Sequence, residues 1–354
     1  VPEPQKTERL AYLDVIRGVA ALAVALQHAC EAAFPGYRDW SVARVNFGVF
    51  GVVAFFLVSG FIIPVSLERQ GSLLRFWVGR FFRLYPMYWG SLLLAGALAA
   101  AGLYALPAPA SARLFIANAT MFQELVQAPH VIGVSWTLSL ELCFYAACSV
   151  LFALGLLRRT LLWAWVATAG MLLGSAAIAL ALHRTLPAGR VGLLVSAFVG
   201  TVLFRVAAGE LRARVLGPLL GAVAVTCTFG FWLRFAYLPD VDRTLEWTFG
   251  AVLTSWALGY GFVLVIFALR GARFPRVLRW LGQVSYSVYL VHPLLISALP
   301  GSHAGVLGVI WVIVATCAVS AGTYRLLEVP LIALGRRVSA RVAAPRLPVT
   351  AGPV

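Results

Sequence analysis

The sequence predicts an all-α fold: a polytopic membrane helix bundle of about ten transmembrane helices, with the N- and C-termini cytoplasmic. Three observations predict it. Of the 354 residues, 61% are hydrophobic and 12% charged, and the mean hydropathy is +0.90. A soluble domain carries about 25% charged and about 45–50% apolar residues, so a fold in water could not cover this much apolar surface. The apolar residues also come in runs close to the roughly 20 residues a helix needs to cross a bilayer. Finally, the basic residues cluster between those runs, mostly on one side.

The expected spans are 12–34, 45–66, 84–106, 133–156, 161–182, 191–208, 215–237, 247–269, 280–299 and 305–327. Glycine and proline interrupt several of them, which membrane helices tolerate. With the N-terminus inside, 21 of the 28 lysines and arginines fall on the cytoplasmic side and 7 outside. The inner set includes Lys6, Arg9, Arg75, Arg80, Arg83, Arg158, Arg159, Arg336 and Arg346; the outer set includes Arg38, Arg190 and Arg243. Such an excess fixes orientation. It also accounts for the net charge of +15 without a nucleic-acid partner, because the charges form no polar face or tail.

The first span follows a polar stretch with acids, carries Asp14, Arg17 and His28, and ends without a small-residue cleavage site. It is therefore expected to be retained rather than cleaved. Residues 1–335 read as a single transmembrane domain, and 336–354 as a disordered or surface-lying cytoplasmic tail. The five cysteines lie in apolar runs without a CxxC pair and read as small buried residues. No Walker motif, GxSxG elbow, HExxH, dinucleotide fingerprint or paired metal ligands occur, so no metal or redox cofactor is expected.

Ionisable groups inside a bilayer cost several kcal/mol, so they tend to face the protein interior and to work. Arg17 and His28 are eleven residues apart, almost three whole turns, so they share a helix face about 16 Å apart along the axis. Asp14 lies within about 40° of the same stripe. Arg80 and Arg83 sit in an expected loop, 74–86, LRFWVGRFFRLYP, as an i, i+3 pair among aromatics that include Tyr85. Two guanidiniums on one face suit a polyphosphate, although topology-setting charge gives the same pattern. In SWTLSLELCFY, 135–145, Thr137, Glu141 and Tyr145 share a face. A buried Glu141 needs a partner: it either braces Arg17 or Arg80, or orients a catalytic group. In SYSVYLVHP, 285–293, Ser285, Tyr289 and His292 share another face. FFLVSGF, 55–61, offers a small-residue notch for a second helix. Glu328 is expected to pair with an arginine at the cytoplasmic surface, while His130, His183 and His303 read as loop residues.

These motifs, in this order, resemble the acyltransferase-3 family of membrane O-acyltransferases. The residues that carry the likeness are LDVIRG at 13–18 leading to His28, FFLVSGF, Arg80-x-x-Arg83 with Leu-Tyr-Pro, SWTLSLELCFY and SYSVYLVHP. Together they span roughly 9–335. The resemblance implies acyl-CoA, usually acetyl-CoA, as a donor from the cytoplasm. It implies an acceptor hydroxyl on a sugar, lipid-linked glycan or secondary metabolite, as in polysaccharide biosynthesis, and a bacterial inner-membrane location. It implies His28 as the essential catalytic histidine and Arg80 and Arg83 as donor-binding residues. Asp14, Arg17 and Glu141 are the further candidates beside His28, Asp14 and Arg17 to bind or order the donor's polar stretch, and Tyr85, Trp136 and Ser139 are the further candidates beside the arginines. The chain resembles the stand-alone branch without a fused periplasmic hydrolase-like domain. A free imidazole, with a pKa of about 6.5, can take the hydroxyl proton at neutral pH. Direct transfer and an acyl-histidine relay both fit. A proton-coupled transporter with a His/Glu relay is the rival from another class; it leaves the Arg80/Arg83 pair unexplained.

Overall fold

The structure, a computed structural model, describes residues 11–238 and 247–342. Lys6, Arg9, Arg243 and Arg346 of the charge argument, and positions 343–354 of the expected tail, lie outside the described residues. Thirteen α-helices and no strand are found among the described residues. The long ones are α1 (Ala11–Ala33), α3 (Phe47–Gln70), α4 (Leu73–Ala100), α6 (Trp136–Ala153), α7 (Thr160–Leu182) and α8 (Ala188–Ala207). They continue with α9 (Leu216–Trp232), α10 (Phe249–Ala268), α11 (Arg276–Ala298) and α12 (Gly305–Thr323). The short helices α2 (Tyr37–Ala43) and α5 (Ala112–Ala119) sit in connections, and α13 (Val329–Val342) follows α12.

Eight helical segments among the described residues are long and apolar enough to cross a bilayer. The two expected spans outside that set, 84–106 and 280–299, are formed as α4 and α11. At 28 and 23 residues they are long enough, but each carries arginines near its start. The arginine-bearing segment 74–86 is not a loop. It is the first three turns of α4, which runs unbroken through Pro86. The chain is helical through 336–342 as well, where a tail was expected; this part of α13 packs on α4.

The turn between α3 and α4 is two residues long. Gly71 (φ 61°) closes α3 by donating to the Leu67 carbonyl, and Ser72 caps α4 by accepting from Arg75 N–H at 3.4 Å. The left-handed conformation suits glycine, and a hydroxyl N-cap suits serine. This hairpin swings Arg80 back beside Ser66 of α3. At the same end of the bundle, buried Arg205 pairs with Glu68 and Glu210, joining the ends of α3 and α8. The opposite end is tied by Gln27, which donates to Glu31 (2.8 Å) and Ser41 (2.7 Å) and accepts from Phe47 N–H (3.0 Å). There Thr248 N–H also donates to the Val42 carbonyl, and His303 to the Ala32 carbonyl.

Helix α1 lies at the centre, packed most extensively on α11 and α3. Glycines set the closest approaches. A Cβ on Gly282 of α11 would stand 2.0 Å from the Asp14 carbonyl of α1. The notch read in FFLVSGF is real: a Cβ on Gly60 would lie 1.7 Å from the Ala197 carbonyl of α8. Without a hydrophobic force between helices in lipid, such close backbone contact is a main source of association.

Candidate active site

Two cavities enter the bundle from opposite ends. The first, about 270 Å³, is lined by Arg17, Ser59, Arg80, Arg83, Glu141 and Tyr286 with apolar neighbours. The second, about 530 Å³, is lined by His28, Glu31, Glu124, His130, Trp136 and Arg190 among others. Val52 and Tyr289 belong to both linings and form the wall between them. The stripe expected on α1 is therefore divided. Arg17 faces one cavity and His28 the other, with about 16 Å of helix between them.

In the larger cavity the central feature is a histidine pair joining α1 to α11. His292 is fully buried, and its Nδ1 lies 2.9 Å from the Val288 carbonyl. A carbonyl only accepts, so Nδ1 carries the proton and donates. In the neutral ring Nε2 is then an acceptor, and it lies 2.9 Å from His28 Nδ1. His28 therefore donates through Nδ1–H and keeps a lone pair on Nε2. The rings are stacked, with centroids 5.2 Å apart and planes at 13°. Among the described residues nothing hydrogen-bonds His28 Nε2. Pro293 follows in the same helix and cannot donate to the Tyr289 carbonyl, which loosens the turn that bears His292.

The wall residue Tyr289 is pinned. Its hydroxyl lies 2.9 Å from the Val134 carbonyl and 2.8 Å from the Thr137 hydroxyl, which itself lies 3.2 Å from the same carbonyl. Its ring stands edge-on to Phe55 and tilted against His292.

In the smaller cavity the hydrogen-bond partners of Glu141 are hydroxyls, with Arg17 and Arg80 lining the same cavity. Its Oε1 accepts from Ser59 (2.8 Å) and Tyr145 (2.7 Å). Arg80 donates to Ser66 at 2.8 Å and lies over the rings of Phe76 and Tyr145. Arg83 pairs with Glu328 at 3.0 Å, and the other Glu328 oxygen accepts from Ser287 at 2.6 Å. The expected Glu328–arginine pair thus exists, but the carboxylate is wholly buried rather than at the surface. A π-helical turn at Tyr324–Glu328 brings it in, and Pro330, whose ring cannot fit against the carbonyl four residues back, accounts for that turn. Glu328→Gln keeps the shape and removes the charge that holds Arg83. Because breaking a buried pair is costly, we expect a loss of about 3 kcal/mol, read as a lower detergent melting temperature.

The remaining sequence candidates scatter. Ser285 lines the smaller cavity but bonds its own helix at the Gly282 carbonyl. Asp14 is buried against α11 and lines neither cavity. Tyr85, expected with the donor site, instead points away and donates to the Thr120 carbonyl at 2.9 Å. Ser139 bonds the Met121 carbonyl and lines neither cavity. Trp136 lines the larger cavity, not the arginine one. Sequence reading missed Glu124 and Arg190 and set His130 aside as a loop residue. His130 donates to Glu124 at 2.9 Å, Arg190 pairs with the other Glu124 oxygen, and Arg190 lies over Trp136. Glu124 and His130 come from the connection between α5 and α6, and Arg190 from the first turn of α8, so no spacing announces the group.

A family model described as an acyltransferase domain matches residues 10–325. Acyltransferase MdmB of Streptomyces mycarofaciens is 29% identical over 150 residues, 40% of this chain and 39% of that protein. The match thus spans well under two thirds of that relative. Exopolysaccharide production protein ExoZ of Rhizobium meliloti (strain 1021) is 29% identical over 334 residues, 84% of this chain and 94% of ExoZ. No solved structure matches. On the family match across residues 10–325 and the apolar helices that carry its motifs, the chain belongs to the acyltransferase-3 family and is an integral membrane acyltransferase.

Proposed function

We propose that the protein transfers an acyl group, acetyl, from acyl-CoA to a hydroxyl of a sugar, lipid-linked glycan or natural product, with His28 as base. It does so in the bacterial cytoplasmic membrane, on ten spans with both termini inside. The carrying observation is the His28–His292 hydrogen bond, which commits His28 Nδ1 and leaves the Nε2 lone pair available on a ring that lines the larger cavity. An acceptor hydroxyl in that cavity donates to Nε2. As its oxygen bonds to the thioester carbonyl carbon, the proton passes to Nε2. The tetrahedral adduct collapses, the C–S bond breaks, and the imidazolium returns the proton to the departing thiolate. Throughout, Nδ1–H keeps its bond to His292, which holds the ring in one orientation.

The donor enters from the end that carries Arg80 and Arg83, which is the basic, cytoplasmic end under the positive-inside rule. Guanidiniums suit the phosphates of CoA, and the narrow acyl-bearing arm runs past Arg17 toward Tyr289. A relay through an acyl group on His28 Nε2 uses the same atoms. It differs in leaving a trappable acyl-imidazole. The ExoZ likeness over nearly its whole length supports a polysaccharide-related acceptor.

Acetyl-CoA-dependent acetylation of sugar acceptors by the purified chain tests the reading. In the Arg80→Ala/Arg83→Ala variant the KM for acetyl-CoA is expected to rise about tenfold or more per lost charge-assisted contact. An unchanged KM would remove the arginines from the donor site.

A further inference from the structure

The base in the larger cavity has an acidic neighbour on its own helix. Glu31 follows His28 by three residues on α1, and both line that cavity. Residues at i and i+3 are neighbours on one helix face, with Cβ atoms about 5–6 Å apart. Glu31 stands about 4.5 Å along the axis from His28, on the side away from Arg17. Its carboxylate is held from behind. Gln27, 1% exposed, donates to Glu31 Oε1 at 2.8 Å. The same amide nitrogen donates to Ser41 of α2 at 2.7 Å, while the amide oxygen accepts from Phe47 N–H at 3.0 Å and from the Tyr37 hydroxyl at 3.4 Å. Gln27 is thus fixed by α2 and the start of α3, and it fixes Glu31 in turn. Among the described residues no hydrogen bond engages Glu31 Oε2. The proton route through His28 Nε2 makes no use of this carboxylate.

Hydrogen-bond chemistry decides what the pair can hold. An ionised carboxylate only accepts, and His28 Nε2 also accepts while Nδ1 carries the proton. One turn of α1 therefore shows the cavity two acceptors side by side. A ligand with a single hydroxyl, bound at Nε2, would cover Glu31 without replacing the water it loses, which is costly for a charged group. A sugar ring offers hydroxyls on adjacent carbons, each with a proton to donate. Resting on the acyl-transfer reading above, we infer that the larger cavity takes its acceptor as a vicinal diol: the hydroxyl to be acylated donates to His28 Nε2, and its neighbour donates to Glu31. Glu31 is then the residue that selects sugar diols over isolated alcohols.

The test compares two acceptors of one shape, trans-cyclohexane-1,2-diol and cyclohexanol, with acetyl-CoA as donor and the purified full chain. Wild type is expected to acetylate the diol with a kcat/KM about 10–100-fold higher, the size of one hydrogen bond to a charged group. That preference should vanish in Glu31→Ala. Glu31→Gln keeps the size and an accepting oxygen but not the charge, so its preference should be intermediate. A purely structural role for Glu31 would lower both rates together and keep their ratio, which would overturn the assignment. Equal efficiency of wild type toward the two acceptors would overturn it, as would transfer to neither from bound acetyl-CoA. These three outcomes leave the donor reading standing. A wild type that fails to bind acetyl-CoA would sink the donor reading, and this assignment with it.

Discussion

Replacing His28 by alanine is expected to slow acyl transfer by about 10²–10⁴-fold, the usual worth of a positioned general base. The size follows from its geometry. His28 Nδ1 is committed to His292, which leaves Nε2 as the ring's one available base, and the residue lines the cavity that would hold the acceptor. The other imidazole lining that cavity, His130, is tied through Nε2 to Glu124 in the connection before α6, and its Nδ1 is buried. Its partner acts differently. His292→Ala keeps the base but frees its tautomer and tilt, so kcat should fall less than in His28→Ala while donor KM stays level. Steady-state kinetics of the two variants check this ordering. Equal activity of His28→Ala and wild type would exclude both direct transfer and the acyl-histidine relay.

Gly60→Ala is the second large effect, this time on stability. The added methyl would sit 1.7 Å from the Ala197 carbonyl, and reciprocally a Cβ on Gly200 would sit 2.0 Å from the Leu57 carbonyl. The Thr201 hydroxyl donates to the Gly60 carbonyl at 3.1 Å across the same contact. Backbone cannot yield here as a flexible side chain would, so α3 and α8 must part. Overpacking of this kind costs about 1–3 kcal/mol and at times more. Displacing α3 also moves Ser59 away from Glu141 and Val52 out of the wall between the cavities. Gly60→Ala should therefore lower the melting temperature and the activity together. Gly221→Ala, where nothing lies within 4 Å of the added methyl, should do neither.

Much of this architecture is legible in the sequence because lipid imposes a simple rule on it. Runs of about 20 apolar residues locate the helices. The errors fall where charge interrupts the run: Arg75, Arg80 and Arg83 made the start of α4 look like a loop, and the span expected to begin at 84 begins at Leu73. Arg336 and Arg337 disguised the last helix as a tail in the same way. The periodicity that aligned Arg17 with His28 is correct. What it could not show is that Tyr289, contributed by α11, divides the stripe into two chambers. Contacts between distant segments carried no local signal. His28 and His292 are 264 positions apart and Arg83 and Glu328 are 245 apart, and only tertiary packing joins them. Tyr85 and Ser139 illustrate the reverse: both lie within motifs that carry the family likeness, yet both bond to carbonyls in the connection after α4. Membership of the acyltransferase family also leaves the transporter reading without the support it drew from buried histidines and carboxylates.

The two ends of the bundle divide the labour in this reading: a donor is held by arginines at one end, and a base stands at the other. The most direct measurement is acetyl-CoA binding and turnover in one preparation of purified protein, comparing wild type, His28→Ala and Arg80→Ala/Arg83→Ala. His28→Ala is expected to bind acetyl-CoA as wild type does while turning it over about 10²–10⁴-fold more slowly, and the double arginine variant to lose binding. A wild type with no affinity for any short-chain acyl-CoA, or a His28→Ala variant that turns over at the wild-type rate, would contradict it.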